Sequence, residues 1–179
     1  MPHSFASTQY YLGKNFDEDV GALNVIDAVH REVHEGHVFT AEHSANVANG
    51  NSLEILITTG TKQAHAAFSI AAGGQVTVYF FEATSKTAGT GITPRNHNRN
   101  KSDNTNVTVA HTPGGAGDGT AIVNGRLLPG GATQQTRIGA TARSNLELIL
   151  RPSTKYLLRV TNTSGSAIDI NPVFVYYEE

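Results

Sequence analysis

The sequence predicts an all-β protein, an antiparallel β-sandwich, and three observations lead to this class. Residues 146–179 alternate apolar and polar side chains in three successive runs, as strands with one buried face do. The 18 glycines, together with many Asn, Thr and Ser residues, supply turns at short intervals. Strand-like runs also return at the spacing expected of two stacked antiparallel sheets.

Composition limits the classes of function. A chain of 179 residues can bury its own core, and we expect residues 22–179 to form one domain behind an irregular N-terminal arm of residues 1–21. The net charge of -2 argues against a nucleic-acid partner, which needs a concentrated positive surface. No apolar run is long enough for a membrane helix. The lack of cysteine removes disulfides and thiolate chemistry.

Two interpretations compete between residues 22 and 40. Ile26 and Val33 fit the stripe of an amphipathic helix that ends at Gly36. The rival is a β-hairpin that turns at Gly36. We predict the hairpin, because side chains of different polarity alternate over residues 29–33, and Val38 is a β-branched residue of the kind that strands favour.

The middle of the chain predicts several further strands. Residues 53–59 and 64–70 alternate on either side of a turn, and residues 75–83 carry apolar side chains on both faces, as a covered strand does. Residues 84–105 predict a long excursion over the surface. Strands resume at residues 106–111 and 120–128, around a glycine-dense loop at 113–119 that we expect to be flexible.

Three strands close the chain. Leu146, Leu148 and Leu150 form one face of the first, residues 155–161 alternate in the same way, and residues 168–177 resume the pattern after a turn. The full set amounts to about nine or ten short strands.

His30, His34 and His37 form the densest group of candidate metal ligands. In a helix His30 and His34 would share one face, whereas in a hairpin His34 and His37 would flank the turn. No glutamate completes a zincin motif, and the chain lacks the His-x-His of cupin metal enzymes, so we expect outward-facing polar positions, no metal and no cofactor. The chain also lacks a nucleophile elbow and a P-loop, and we expect no enzyme.

The loop at residues 95–101 is unusually rich in hydrogen-bonding side chains. Asn96 and Asn98 both donate and accept, and Arg99 adds a planar fork of donors. Such a loop can fasten its own backbone or grip the backbone of another protein. Asn96, Asn98 and Arg99 are therefore the candidate partner interface.

Separate blocks of the sequence carry a family resemblance: residues 33–39 (VHEGHVF), 81–84 (FEAT), 89–90 (GT), 96–99 (NHNR), 147–156 (ELILRPSTKY) and 177–178 (YE). In residue type, order and spacing they resemble a group of tailed-bacteriophage virion structural proteins. The similarity spans roughly residues 25–179 and leaves residues 5–19 outside.

The resemblance implies a jelly-roll-like β-sandwich that decorates or cements an assembled phage head. Cement proteins of this kind commonly sit as trimers at three-fold positions. The expected partners are the major capsid protein and further copies of this chain in a homotrimer. The expected location is the capsid surface of the virion, after synthesis in the host cytoplasm. Edge strands and the arm would meet neighbouring subunits.

The alternative is a carbohydrate- or receptor-binding module of a tail fibre or spike, because β-sandwiches often present such sites. The chain has no Trp, and its tyrosines fall mostly in predicted strands, which leaves few aromatic surfaces for sugar rings. We therefore expect a non-enzymatic capsid decoration protein that bridges major capsid subunits.

Overall fold

The structure is a computed structural model, and it describes residues 16–17, 22–23, 28–130, 139–140 and 148–178. Within these ranges one helix, α1 (Ala28–Glu35), accompanies the strands. The strands, in chain order, are β1 (Phe16–Asp17), β2 (Ala22–Leu23), β3 (Val38–Glu42), β4 (Ala45–Val47), β5 (Ser52–Thr58), β6 (Ala64–Ala72), β7 (Val76–Glu82), β8 (Thr90–Ile92), β9 (Arg95–Asn96), β10 (Thr108–His111), β11 (Thr120–Leu128), β12 (Gly139–Ala140), β13 (Leu148–Leu150), β14 (Lys155–Asn162) and β15 (Ile168–Glu178).

Two antiparallel sheets form the predicted sandwich. Sheet I has the order β12-β6-β15-β3-β9, with β13 also pairing with β6 and β4 with β15, and sheet II has the order β11-β7-β14-β5-β10-β8. Consecutive long strands alternate between the sheets: β3 and β6 lie in sheet I, and β5 and β7 lie in sheet II. Strand β11 lies beside β7 in sheet II. The last three strands alternate again, with β13 and β15 in sheet I and β14 in sheet II. This strand order is that of a jelly roll, which confirms the predicted fold class.

The core lies between the two sheets and is rich in stacked rings. Phe39 of β3 stacks on Tyr176 of β15 with ring centroids 5.5 Å apart, and Phe80 of β7 stacks on Tyr156 of β14 at 5.6 Å. Phe68 of β6 reaches across the sandwich to Phe80 at 4.8 Å. Each buried apolar side chain contributes about 1.5–3 kcal/mol, so this layer joins the sheets without any disulfide.

The hairpin predicted between residues 22 and 40 is wrong, because residues 28–35 form α1. An alternation of three residues fits both structures, and a left-handed glycine is typical of a hairpin turn as well as of a helix end. The backbone N–H groups of Gly36 and His37 donate to carbonyl oxygens of Val33 and Glu32, and this pattern identifies a helix end. Gly36 has a φ of +84°, and it occupies the residue after the helix end, where a left-handed residue closes the last turn. The strand predicted from Val38 onward is present as β3.

Most other predicted strands are present near their predicted places, including the three that close the chain. Leu148 and Leu150 lie in β13, whereas Leu146 lies outside the described residues. The surface excursion of residues 84–105 is not wholly irregular, since it supplies β8 to sheet II and β9 to sheet I. Of the predicted arm at residues 1–21, the structure describes only β1, which pairs with β2.

Candidate functional site

The end of α1 is fixed by a Schellman motif. The backbone N–H of His37 donates to the carbonyl oxygen of Glu32 at 2.9 Å, and that of Gly36 donates to the carbonyl oxygen of Val33 at 3.1 Å. A Cβ atom at Gly36 would lie 2.7 Å from Cγ of Lys101. Backbone conformation and close packing therefore both require glycine here.

The three candidate histidines separate into two groups. His30 and His34 lie on one exposed face of α1, and their Nε2 atoms are 2.9 Å apart. Their rings meet edge to face, with centroids 4.6 Å apart. His37 lies beyond the helix end, where its Nδ1 is 2.9 Å from Oε2 of Glu32. The structure thus pairs two of the predicted candidates and gives the third a different partner.

Glu32 is the centre of a small polar cluster that sequence reasoning missed. Its carboxylate accepts from Arg31 at 3.0 Å as well as from His37, and Nδ1 of His37 lies 3.6 Å from Glu35. These hydrogen bonds, that of His37 first, lower the pKa of Glu32 although burial opposes the change. Among the described residues, Glu32, Glu35 and His37 are the three potential ligands within metal-binding reach of one another. Arg31 already supplies a cation to this group, 3.8 Å from Glu35.

The loop at residues 95–103 closes on itself and on α1. Asn96 is 2% exposed, and its Nδ2 donates to the carbonyl oxygens of Gly36 and Ser102 at 2.7 and 3.0 Å. Its Oδ1 accepts from the N–H of Asn98 at 2.8 Å, and Nδ2 of Asn98 donates to the carbonyl oxygen of His34 at 2.8 Å. Asn98 thus caps a carbonyl group that the helix end leaves free, and Asn96 binds the carbonyl group of the residue just beyond it.

Asp103 holds the other side of this loop. Its carboxylate accepts from the N–H of Asn96 at 2.7 Å and from Arg95 and Arg99 at 3.0 Å. These bonds, the one from the Asn96 backbone first, lower the pKa of Asp103 to about 2. Of the predicted interface residues, Asn96 faces inward and Asn98 is half-buried, so Arg99 is the one whose side chain is exposed.

Four charged side chains form a network on the outer face of sheet II. Arg159 donates to Glu54 and to Asp118, each at 2.7 Å, and Nζ of Lys86 lies 3.0 Å from Glu54. The guanidinium also lies 5.4 Å above the ring of Phe81. The hydrogen bond from Arg159 lowers the pKa of Asp118. The two positive and two negative charges of the network balance. The network covers Phe81, an apolar residue on the outer face of β7.

The glycine-dense loop at residues 113–119 is fastened to residues 84–87. Thr87 and Gly114 exchange backbone hydrogen bonds of 3.1 and 2.8 Å, and Oγ1 of Thr84 donates to the carbonyl oxygen of Gly117 at 2.8 Å. Gly119 has a φ of +93°, and a Cβ there would lie 2.2 Å from a carbonyl oxygen of β7. The loop that we expect to be flexible is thus hydrogen-bonded to residues 84–87 at Gly114 and at Gly117.

Two histidines from opposite sheets stack at one end of the sandwich. His43 follows β3 of sheet I, His111 ends β10 of sheet II, and their rings lie nearly parallel with centroids 3.8 Å apart. Burial, and secondarily the neighbouring His111, lowers the pKa of His43. The pair therefore packs best when His43 is neutral.

One edge of the described part of the sandwich is apolar. Strand β11 is nine residues long and, among the described strands, pairs only with β7. Ile122 and Leu127 on β11 are 46% and 54% exposed, and Ile149 on neighbouring β13 is 60% exposed. Between the sheets at this edge lies a cleft of about 260 Å³, lined mainly by apolar side chains. Its lining includes Phe68, Val78, Phe80, Val123, Leu128 and Leu148. We call β11, this cleft and Ile149 the apolar edge.

Comparison of the sequence with protein-family models and with curated proteins gave no match in either case. In the part of the chain that the structure describes, no helix has the length and apolar character needed to cross a membrane.

Proposed function

We propose that this chain is a non-enzymatic structural protein of a tailed-phage virion, which decorates or cements the head by binding major capsid subunits. The observation that carries the proposal is the apolar edge. A jelly roll that exposes Ile122, Leu127 and Ile149 beside an apolar cleft has a surface suited to another protein. The sequence resemblance to phage virion proteins supports the capsid as that partner.

The edge offers backbone as well as side-chain contacts. The outer side of β11 presents N–H and C=O groups over nine residues, whereas the outer strands β8, β9 and β12 have three, two and two residues. Arg126 is the one charged residue in β11. Proteins normally protect a long edge with several charges or with β-bulges, and the register of β11 against β7 shifts twice between Ala121 and Arg126. A strand from a neighbour would therefore pair best along the regular stretch of residues 126–128. Each added hydrogen bond contributes about 0.5–1.5 kcal/mol.

The cleft provides a place for an anchoring side chain. Its volume of about 260 Å³ exceeds the ~150 Å³ of an apolar cavity that holds benzene. An aromatic or branched apolar side chain of a capsid subunit therefore fits, and such buried anchors dominate interface energies. Leu127 and Ile149 lie outside the lining of the cleft, next to its residues Leu128 and Leu148, and their exposed side chains add apolar area to the adjoining surface.

Repetition on a shell makes modest contacts effective. A homotrimer, which the resemblance implies, would present three apolar edges to the subunits around a three-fold position, and linked contacts strengthen one another. The net charge of -2 keeps repulsion between crowded copies small. Native mass measurement should then give three times the chain mass of 19.0 kDa.

The test is to add the purified full chain to capsids that lack it. We expect binding at a fixed number of copies per capsid, measured by sedimentation and quantitative mass spectrometry, and greater resistance of the capsids to heat. Leu127→Lys should weaken binding by at least about tenfold, because a buried leucine contributes about 1.5–3 kcal/mol.

Thr90→Lys is the matched control, since Thr90 is exposed on β8 at the far edge of sheet II. It should bind like the unaltered chain. Equal weakening by both variants would exclude the apolar edge as the contact. A chain with no affinity for capsids would remove the proposal, and a specific ligand on a glycan array would then favour the receptor-binding alternative.

A further inference from the structure

We propose that His30 and His34 form a bidentate site for a late first-row divalent metal ion, Cu²⁺ above all, on the exposed face of α1. This site is separate from the apolar edge and from the proposed capsid binding. The observation behind it is the distance of 2.9 Å between the two Nε2 atoms, in side chains that are both exposed.

The four-residue spacing makes the pair a chelate. Residues four apart on a helix lie one turn above each other, and two histidines in this arrangement are a recurring way to bind a metal. Imidazole nitrogen suits Cu²⁺, Ni²⁺ and Zn²⁺, whereas Mg²⁺ and Ca²⁺ prefer oxygen. The chemistry of the two ligands therefore selects transition metals.

The distance of 2.9 Å is that of a hydrogen bond between the two imidazole rings, and it places both nitrogens within reach of one ion. Metal–imidazole bonds are about 2.0–2.1 Å long, so two nitrogens bound to one metal lie about 2.9 Å apart at a right angle and about 3.3 Å apart at a tetrahedral angle. The pair reaches either separation with little movement once the hydrogen bond between the rings is given up. Square-planar or tetragonal coordination is typical of Cu²⁺ and Ni²⁺, and Cu²⁺ is the stronger binder of the two.

The helix end is held in place for this role. The carbonyl oxygen of His34 accepts from Nδ2 of Asn98 at 2.8 Å, and that of Gly36 accepts from Nδ2 of Asn96 at 2.7 Å. These bonds and the Schellman motif fix the backbone that carries His34, so little order must be gained on binding. His37 takes no part, because it is hydrogen-bonded to Glu32.

The experiment titrates the purified full chain with Cu²⁺ near neutral pH in a buffer without chelators. We expect one tight equivalent per chain by calorimetry, and the hyperfine pattern of two imidazole nitrogens in the electron paramagnetic resonance spectrum. His30→Gln and His34→Gln should each lower the affinity of the tight site for Cu²⁺ by at least about tenfold, because each variant keeps one histidine ligand instead of two. Ni²⁺ and Zn²⁺ should both bind more weakly than Cu²⁺, with Zn²⁺ equal to Ni²⁺ or weaker.

His37→Gln is the matched control and should bind Cu²⁺ like the unaltered chain. Glutamine is a good helix former, and circular dichroism without metal checks that each variant keeps its fold. The proposal is overturned if His34→Gln retains the tight equivalent, if His37→Gln loses it, or if the spectrum shows a single nitrogen ligand.

Discussion

Asn96 can be tested as a structural residue, because its substitution by alanine removes three hydrogen bonds together. These bonds join Nδ2 to the carbonyl oxygens of Gly36 and Ser102, at 2.7 and 3.0 Å, and Oδ1 to the N–H of Asn98, at 2.8 Å. At about 1 kcal/mol of net stabilisation per bond, Asn96→Ala should lower the free energy of unfolding by about 3 kcal/mol.

Urea unfolding, followed by far-UV circular dichroism, measures this loss. With an m-value of about 2 kcal/mol per molar urea, the midpoint should fall by about 1.5 M, and the melting temperature should fall by about 6–12 °C. The m-value itself should not change, since the same surface is exposed on unfolding.

Arg99→Ala provides the comparison from the same loop. The Arg99 side chain is 66% exposed, and it makes an ion pair with Asp103 and a hydrogen bond of 3.1 Å to the carbonyl oxygen of Asn96. The exposed ion pair contributes about 0.2–1 kcal/mol and the hydrogen bond about 0.5 kcal/mol, so the midpoint should move by less than about 0.75 M, half the shift expected for Asn96→Ala. If Asn96→Ala shifts the midpoint no more than Arg99→Ala does, the buried asparagine does not hold the loop to the helix.

Three further predictions follow from the packing. Burial lowers the pKa of His43, so the folded chain binds fewer protons there than the unfolded chain, and the free energy of unfolding should fall as the pH drops below the ordinary value of 6.5. His43→Asn should flatten that part of a pH series of urea titrations, and an unchanged slope would contradict the assignment. Gly119→Ala should destabilise by more than about 3 kcal/mol, from left-handed strain and a clash, whereas Gly165→Ala, with φ +89° in open space, should lose only about 1–2 kcal/mol. Arg159→Met should destabilise by about 1–2 kcal/mol at neutral pH, with a smaller difference in acid once Asp118 is protonated, and calorimetry at both pH values checks the sign.

The strands were predictable because their signal is local. Alternation over seven or more residues, as in β5, β7 and β14, leaves one assignment. The segment before β3 was not predictable in this way, because three alternating residues fit a helix stripe equally well. Gly36 marks a turn or a helix end in the sequence, and only the backbone hydrogen bonds of Gly36 and His37 in the fold identify it as the residue after a helix.

The candidate sites were predictable only where their residues are close in the sequence. The four-residue spacing of His30 and His34 predicts that the two side chains share one face only if the segment is helical. Residues 32–37 (EVHEGH) also contained a signal for the cluster of Glu32 and His37, namely carboxylates before and an imidazole after the glycine that ends the helix. Arg159 and Glu54, by contrast, are 105 positions apart, and only the pairing of β14 with β5 brings them together.

The distribution of charge over the folded surface indicates where recognition would occur. The loop at residues 95–103 uses its donors and acceptors within itself and on the end of α1, and the loop at residues 113–119 uses its own on residues 84–87, so binding a partner there would first break those bonds. At the apolar edge, β11 pairs with β7 alone among the described strands, so pairing its outer side and burying Ile122 and Leu127 would break fewer bonds between described residues. A chain of this design gains more from a contact along an edge strand than from one through its hydrogen-bonding loops, and for that reason capsid binding should respond to Leu127→Lys more strongly than to Arg99→Ala.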